Sequence, residues 1–144
     1  VHWQMAGKYN LEQALEPGTV LQGEISGPGI QANPAGLSEV ELFIFNLKNL
    51  QTGKYENVLS EKSIQDLSQK GLKTVPLLFE VNKIGFSYET LESLQSYANS
   101  LIYDNKKPAE GLVLRGLSAD GELIFSKHLQ KMLSVKIINQ NYKD

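Results

Sequence analysis

Glu24, Glu110 and Lys136 each stand in or beside an apolar run, where an unpaired charge is costly. Glu24 lies in GEISGPGIQ, residues 23–31, between an apolar run and a glycine-rich turn. Glu110 opens EGLVLR, and Lys136 interrupts MLSVKII between Val135 and Ile137. A carboxylate in such a place can accept hydrogen bonds from a ligand, and a lysine can present fixed positive charge. Taken singly, each is equally a polar strand end or a lysine on a wet sheet face, because charge at sheet edges guards against aggregation. The composition narrows the chemistry. The chain has 144 residues and no cysteine, which removes thiolate catalysis, disulfides and cysteine-based zinc sites and fits a reducing cytoplasm. His2 and His128 are the only histidines, too few and too far apart to suggest a metal cage. The formal charge of −2 gives no global basic field for nucleic acid, so any polyanion site must be local.

These residues need elements to hold them. A length of 144 residues suits one domain, 1–144, with a single core. Asn10 offers an N-cap with Gln13 three residues on, and Pro17-Gly18 stops the short helix that follows. Residues 19–25 alternate as a strand, closed by Gly27-Pro28-Gly29, and residues 40–47, VELFIFNL, read as a strand buried on both faces. Ser60 caps a helix with Ile64 and Leu67 on its apolar side, ending at Gly71. Thr90 caps another with Leu91, Leu94, Ala98 and Leu101 at helical spacing. Residues 75–81 form a candidate strand with Pro76 near its start. Residues 111–115 and 122–126 form a candidate hairpin across Asp120-Gly121, and residues 132–138 a last strand before a polar tail. No apolar run reaches the roughly 20 residues needed to span a bilayer, and the start lacks the shape of a signal peptide. The mixed order of elements predicts an α+β fold.

GEISGPGIQ, LFIFNL, EGLVLR and SVKIINQNY resemble, in this order, nucleotide-binding motifs III, IIIa, IV and V of the covalent nucleotidyltransferases, and most closely those of the ATP-dependent RNA ligases. The resemblance spans about residues 20 to 142. It implies a ligase adenylation-type fold, mainly antiparallel sheet with flanking helices, and a pocket for ATP as AMP donor. Glu24 would then lie near the ribose, and Phe45 would stack on adenine, where its alternative is ordinary core packing. Glu110 would bind a divalent metal, Mg2+, beside the phosphates, and Lys136 would contact the phosphate, its buried setting strengthening the effect. The implied partner is RNA with nicked or broken ends, and no membrane.

Three departures accompany the resemblance. Motif V commonly has two lysines one residue apart, and Ser134 stands at the first place. Motif IIIa commonly has aspartate where this chain has Asn46, which can hydrogen-bond but supplies no charge. The nucleophilic lysine of a Lys-x-Asp-Gly or Lys-x-Glu-Gly motif is missing, since the only lysine before Glu24 is Lys8 in GKYN. The expectation is therefore the later part of an RNA ligase adenylation domain, consistent with a start that is not methionine and unable alone to self-adenylate. The rival is a noncatalytic nucleotide- or RNA-binding module of the same fold. RNA contact would draw on Lys127, Lys131 and Lys136, whose bland alternative is a solvated face.

Overall fold

Chain order in the computed structural model is α1 (His2–Lys8), α2 (Leu11–Ala14), β1 (Thr19–Ser26), β2 (Glu41–Asn49), β3 (Tyr55–Glu56), α3 (Glu61–Gln69) and β4 (Lys73–Thr74), followed by α4 (Leu91–Ser100), β5 (Gly111–Arg115), β6 (Phe125–Ser126), β7 (Lys131–Met132) and β8 (Ser134–Ile138). The structure describes residues 1–80 and 90–143. Every strand pairing is antiparallel except the short parallel contact of β2 with β4, so helices and mainly antiparallel sheet combine as expected for an α+β fold. No helix among the described residues is long and apolar enough to cross a membrane.

The main sheet is built on the long pair β1–β2, with β3 and β4 on the other edge of β2. Leu42 and Ile44 of β2 are buried against Met5, Tyr9, Val58, Leu67 and Leu72, so α1 and α3 cover one face. The pair β5–β8 is separate, and α4 covers it by packing Leu94, Ala98 and Leu101 on Leu112 and Ile137. Two apolar clusters thus replace the single core expected from chain length. The caps behave as their residue types require. The Ser60 hydroxyl accepts from the Ser63 N–H at 3.2 Å, and Thr90 and Ser93 close a reciprocal capping box.

Several expectations are corrected. α1 carries no signal that marked it in advance, and Asn10 spends its side chain on Gln13, at 2.8 Å, rather than on the backbone N–H groups of α2. β2 is buried on the face of Leu42 and Ile44, whereas Phe43 and Phe45 are only half-buried. Leu91 faces outward from α4 at 68% exposure. The strand expected at 75–81 is absent over residues 75–80: the short β4 precedes it and stops at Thr74, ahead of Pro76, and Val81 lies outside the described residues. The expected pairing of 111–115 with 122–126 does not form, since β5 pairs with β8 and β6 with β7, although the Asp120-Gly121 turn closes a shorter antiparallel contact in which Leu117 faces Leu123. The partner is chosen by α4, because Leu112 and Ile137 bury one surface against it only when β5 and β8 lie side by side. The last strand is also split, as the Leu133 N–H donates to Ile124 and its carbonyl accepts from Gly116.

Two polar groups deep in the fold have complete partners. Asn139, fully buried in what reads as a polar tail, donates from Nδ2 to the Leu101 carbonyl at 3.1 Å and accepts at Oδ1 from the Asn141 N–H at 2.9 Å. Replacing it with alanine strands a carbonyl and an N–H inside the protein. Asn139→Ala is expected to cost about 2–4 kcal/mol in a urea titration.

Glu41 is 5% exposed and accepts from Tyr9 Oη and from Lys73 Nζ, with Lys8 at 3.4 Å. Burial alone would push its carboxyl up, but the bonds from Lys73 and Tyr9 and the charges of Lys73 and Lys8 outweigh it and hold the pKa at about 2. A carboxyl depressed in the folded state stabilises fully above its ordinary value of 4.5, and the contribution drains as pH falls toward about 2. The melting temperature should therefore drop between those pH values, and Glu41→Gln should be less stable at neutral pH and show a flatter acid limb in thermal scans.

Candidate functional site

The expected site residues sit on two sheets and converge between them. Glu24 is exposed on β1, opposite Phe43 of β2, with the Ser26 hydroxyl 3.5 Å from its Oε1. Among the described residues it therefore has no strong partner for its charge. The chain beyond it can turn as GPG demands because Gly27 adopts φ +140°, and a Cβ there would come within 2.6 Å of the Glu39 carbonyl oxygen.

Phe45 lies at a break in the ladder. Gln22 pairs with Asn46 but the next residue, Gly23, pairs with Ile44, so Phe45 is an extra residue with no partner on β1. Its ring belongs to neither apolar cluster. The neighbouring Asn46 is buried, donates from Nδ2 to Gln22 Oε1 at 2.8 Å, and leaves Oδ1 as a buried acceptor with no partner among the described residues. A buried acceptor of this kind invites an incoming donor.

On the other sheet, Glu110 stands just before β5 and forms an ion pair with Lys136, which lies opposite Val113 on β8. The lysine is not buried as expected. Its side chain is 49% exposed, and its apolar neighbours Val135 and Ile138 are also exposed, because of this strand only Ile137 is buried, in the cluster under α4. The open face is the one that carries Lys136, and an exposed ion pair of this kind is weak enough to exchange partners with a ligand. Gly111 keeps Glu110 close to β8: it adopts φ +145°, and a Cβ would overlap the Ile137 carbonyl.

Tyr103 joins the acidic residues of the two sheets, and no motif marked it. Burial raises its phenol pKa first; the nearby backbone of Glu110 opposes the rise, while the charges of Glu110 and Glu24 add to it and Lys136 opposes it. Glu24, Glu110 and Lys136, more than a hundred residues apart at the extremes, thus act on one phenol. Arg115 was missed as well, although it ends EGLVLR; its Nη1 donates to the Phe45 carbonyl at 2.7 Å and ties β5 to β2. The lysine cluster is divided, since Lys136 is committed to Glu110 while Lys127 and Lys131 are exposed beside the β6–β7 turn.

The two sheets together offer an exposed carboxylate with no strong partner among the described residues, an aromatic ring outside both apolar clusters, and a second carboxylate paired with a lysine. No group of three or more metal-ligating side chains occurs among the described residues. Glu110 is therefore a single hard-oxygen ligand, a donor set that fits a magnesium-like ion only when a ligand's own oxygens and water complete the shell.

Comparison with known proteins fits this arrangement. Residues 1–129 match the family model for RNA ligase. No curated protein sequence matches significantly. Among solved structures, Naegleria gruberi RNA ligase with PPi is 25% identical with a TM-score of 0.68, over 95% of this chain and 38% of that one. A mutant of the same ligase with ATP and Mn is 25% identical with a TM-score of 0.69, over 96% of this chain and 38% of that one. Another mutant, with AMP and Mn, is 24% identical with a TM-score of 0.70, over 95% and 38%. The chain therefore spans about 38% of the length of the ligases it matches. With its mixed helix and antiparallel-sheet architecture shared by those ligases and with the family model matched over most of its length, the chain belongs to the RNA ligase family.

Proposed function

We propose that this chain is the later part of the adenylation domain of an ATP-dependent RNA ligase and that it binds the nucleotide between its two sheets. The observation that carries this reading is the position of Phe45, an aromatic ring held outside both apolar clusters beside a buried acceptor with no partner among the described residues. Phe45 stacks on the adenine, and the Glu24 carboxylate accepts hydrogen bonds from ribose hydroxyls. Lys136 leaves its ion pair to hold the phosphate, with Ser134 able to contribute a hydroxyl but no charge. Glu110, released by that exchange, would hold a divalent cation such as Mg2+, which would supply charge neutralisation at the phosphates.

In the intact enzyme the reaction has three transfers. A lysine outside this chain attacks the α-phosphorus of ATP and releases pyrophosphate, the AMP passes to an RNA 5′-phosphate, and an adjacent 3′-hydroxyl displaces AMP to seal the strand. The substrate is broken or nicked RNA and the role is RNA repair in the cytoplasm. Lys127 and Lys131 are exposed where they can meet RNA phosphates.

ATP titrated calorimetrically into the chain should bind without forming an adduct, and Phe45→Leu, Glu24→Ala and Lys136→Ala should each weaken it about tenfold, near 1.4 kcal/mol. Unchanged affinity in all three variants would place the nucleotide elsewhere. Incubated with α-labelled ATP and run on a denaturing gel, the chain should show no labelled band. A band would mean that one of its own lysines is the nucleophile.

A further inference from the structure

The bulge at Phe45 leaves that residue's carbonyl outside the β1–β2 ladder, because the register passes directly from Gln22–Asn46 to Gly23–Ile44. A strand carbonyl that loses its ladder partner in a half-buried setting needs another donor. It finds Arg115 Nη1 at 2.7 Å, from the last residue of β5 on the opposite sheet. Among the described residues, the Arg115 guanidinium donates to this carbonyl alone, and burial pulls the guanidinium pKa down from its ordinary value. Among the described residues no carboxylate forms an ion pair with it. An arginine placed there without a counter-ion is not explained by an ordinary surface ion pair.

We propose that Arg115 is the positioning residue of the base platform: by holding the carbonyl of the bulged Phe45, it fixes the direction in which the Phe45 ring meets the nucleotide base and the spacing between that ring and the Glu110–Lys136 pair. A bulge re-aims the side chain it carries, and its conformation stays defined only when its freed backbone groups are bonded. The same bond spans the two sheets, so the half of the site on β1 and β2 and the half around β5 and β8 are set against each other at this point. Arg115 acts through Phe45 rather than by touching the ligand. The inference rests on Phe45 stacking on the base as proposed above.

The test compares AMP with inorganic pyrophosphate, which lacks a base, on the 144-residue chain and its Arg115→Met, Arg115→Lys and Phe45→Leu variants. Stacking is read from the upfield ring-current shifts of the adenine H2 and H8 protons in bound AMP, and folding from thermal unfolding. Arg115→Met is expected to lose more than half of the ring-current shift and to weaken AMP about tenfold, with pyrophosphate affinity within about twofold of the parent; the affinity ratio converts to about 1.4 kcal/mol. Arg115→Lys, which keeps a charged donor and preserves the fold if the methionine variant does not, should fall between. Intact shifts in either folded Arg115 variant, together with their loss in Phe45→Leu, overturn the positioning role and leave the stacking reading standing. An equal loss of AMP and pyrophosphate binding overturns it too, since that marks a direct phosphate contact. Unchanged shifts in Phe45→Leu, or no AMP binding by the parent chain, overturn the stacking reading and the inference with it.

Discussion

A backbone carbonyl that leaves a β-ladder must find another donor, and in this protein that requirement joins the two halves of the molecule. Each half packs on its own terms: β1 and β2 bury Leu42 and Ile44 beneath α1 and α3, and β5 and β8 bury Leu112 and Ile137 beneath α4. Apolar contact is non-directional and would tolerate many relative placements of two such layers. The hydrogen bond from Arg115 to the Phe45 carbonyl is directional and selects one. Side chain to backbone bonds from Asn105 to Pro34 and from Asn57 to Gly121 add further points of attachment.

The face of each sheet turned away from its helices is left with charge. Glu24 has a single long contact, and Glu110 and Lys136 satisfy each other in solvent. By contrast, the charged group that is buried, Glu41, is saturated by Tyr9, Lys73 and Lys8. The difference is one of desolvation. A buried carboxylate must be matched within the fold, whereas exposed groups can keep a loose partner and give it up when a better-matched ligand arrives. Structural charge and ligand-ready charge are thus told apart by their surroundings, not by their residue types.

Much of the local plan was legible in the chain. The caps at Ser60 and Thr90 and the turn after Glu24 depend on residues within a few positions of one another, and they hold in the structure. Where the reading slipped, the deciding partner was remote. Residues 122–126 alternate well enough for a hairpin with 111–115, but α4 made β8 the better neighbour. Asn139 looks like the start of a polar tail, and it becomes a fully buried bracket only because the Leu101 carbonyl at the end of α4 comes to meet it.

The family, and with it the set of residues proposed for the site, was therefore legible in sequence, since residue types in a fixed order do not depend on what surrounds them, and the RNA ligase family model matches residues 1–129. The arrangement of those residues was decided by tertiary structure. The pairing of Glu110 with Lys136, the convergence of Glu24, Glu110 and Lys136 on Tyr103, and the tether of Arg115 to a bulged Phe45 join positions 26 to 112 residues apart. Contacts at such separation leave no periodicity or spacing to read. They arise only when helices choose which strands to cover and the remaining backbone groups must then find their partners.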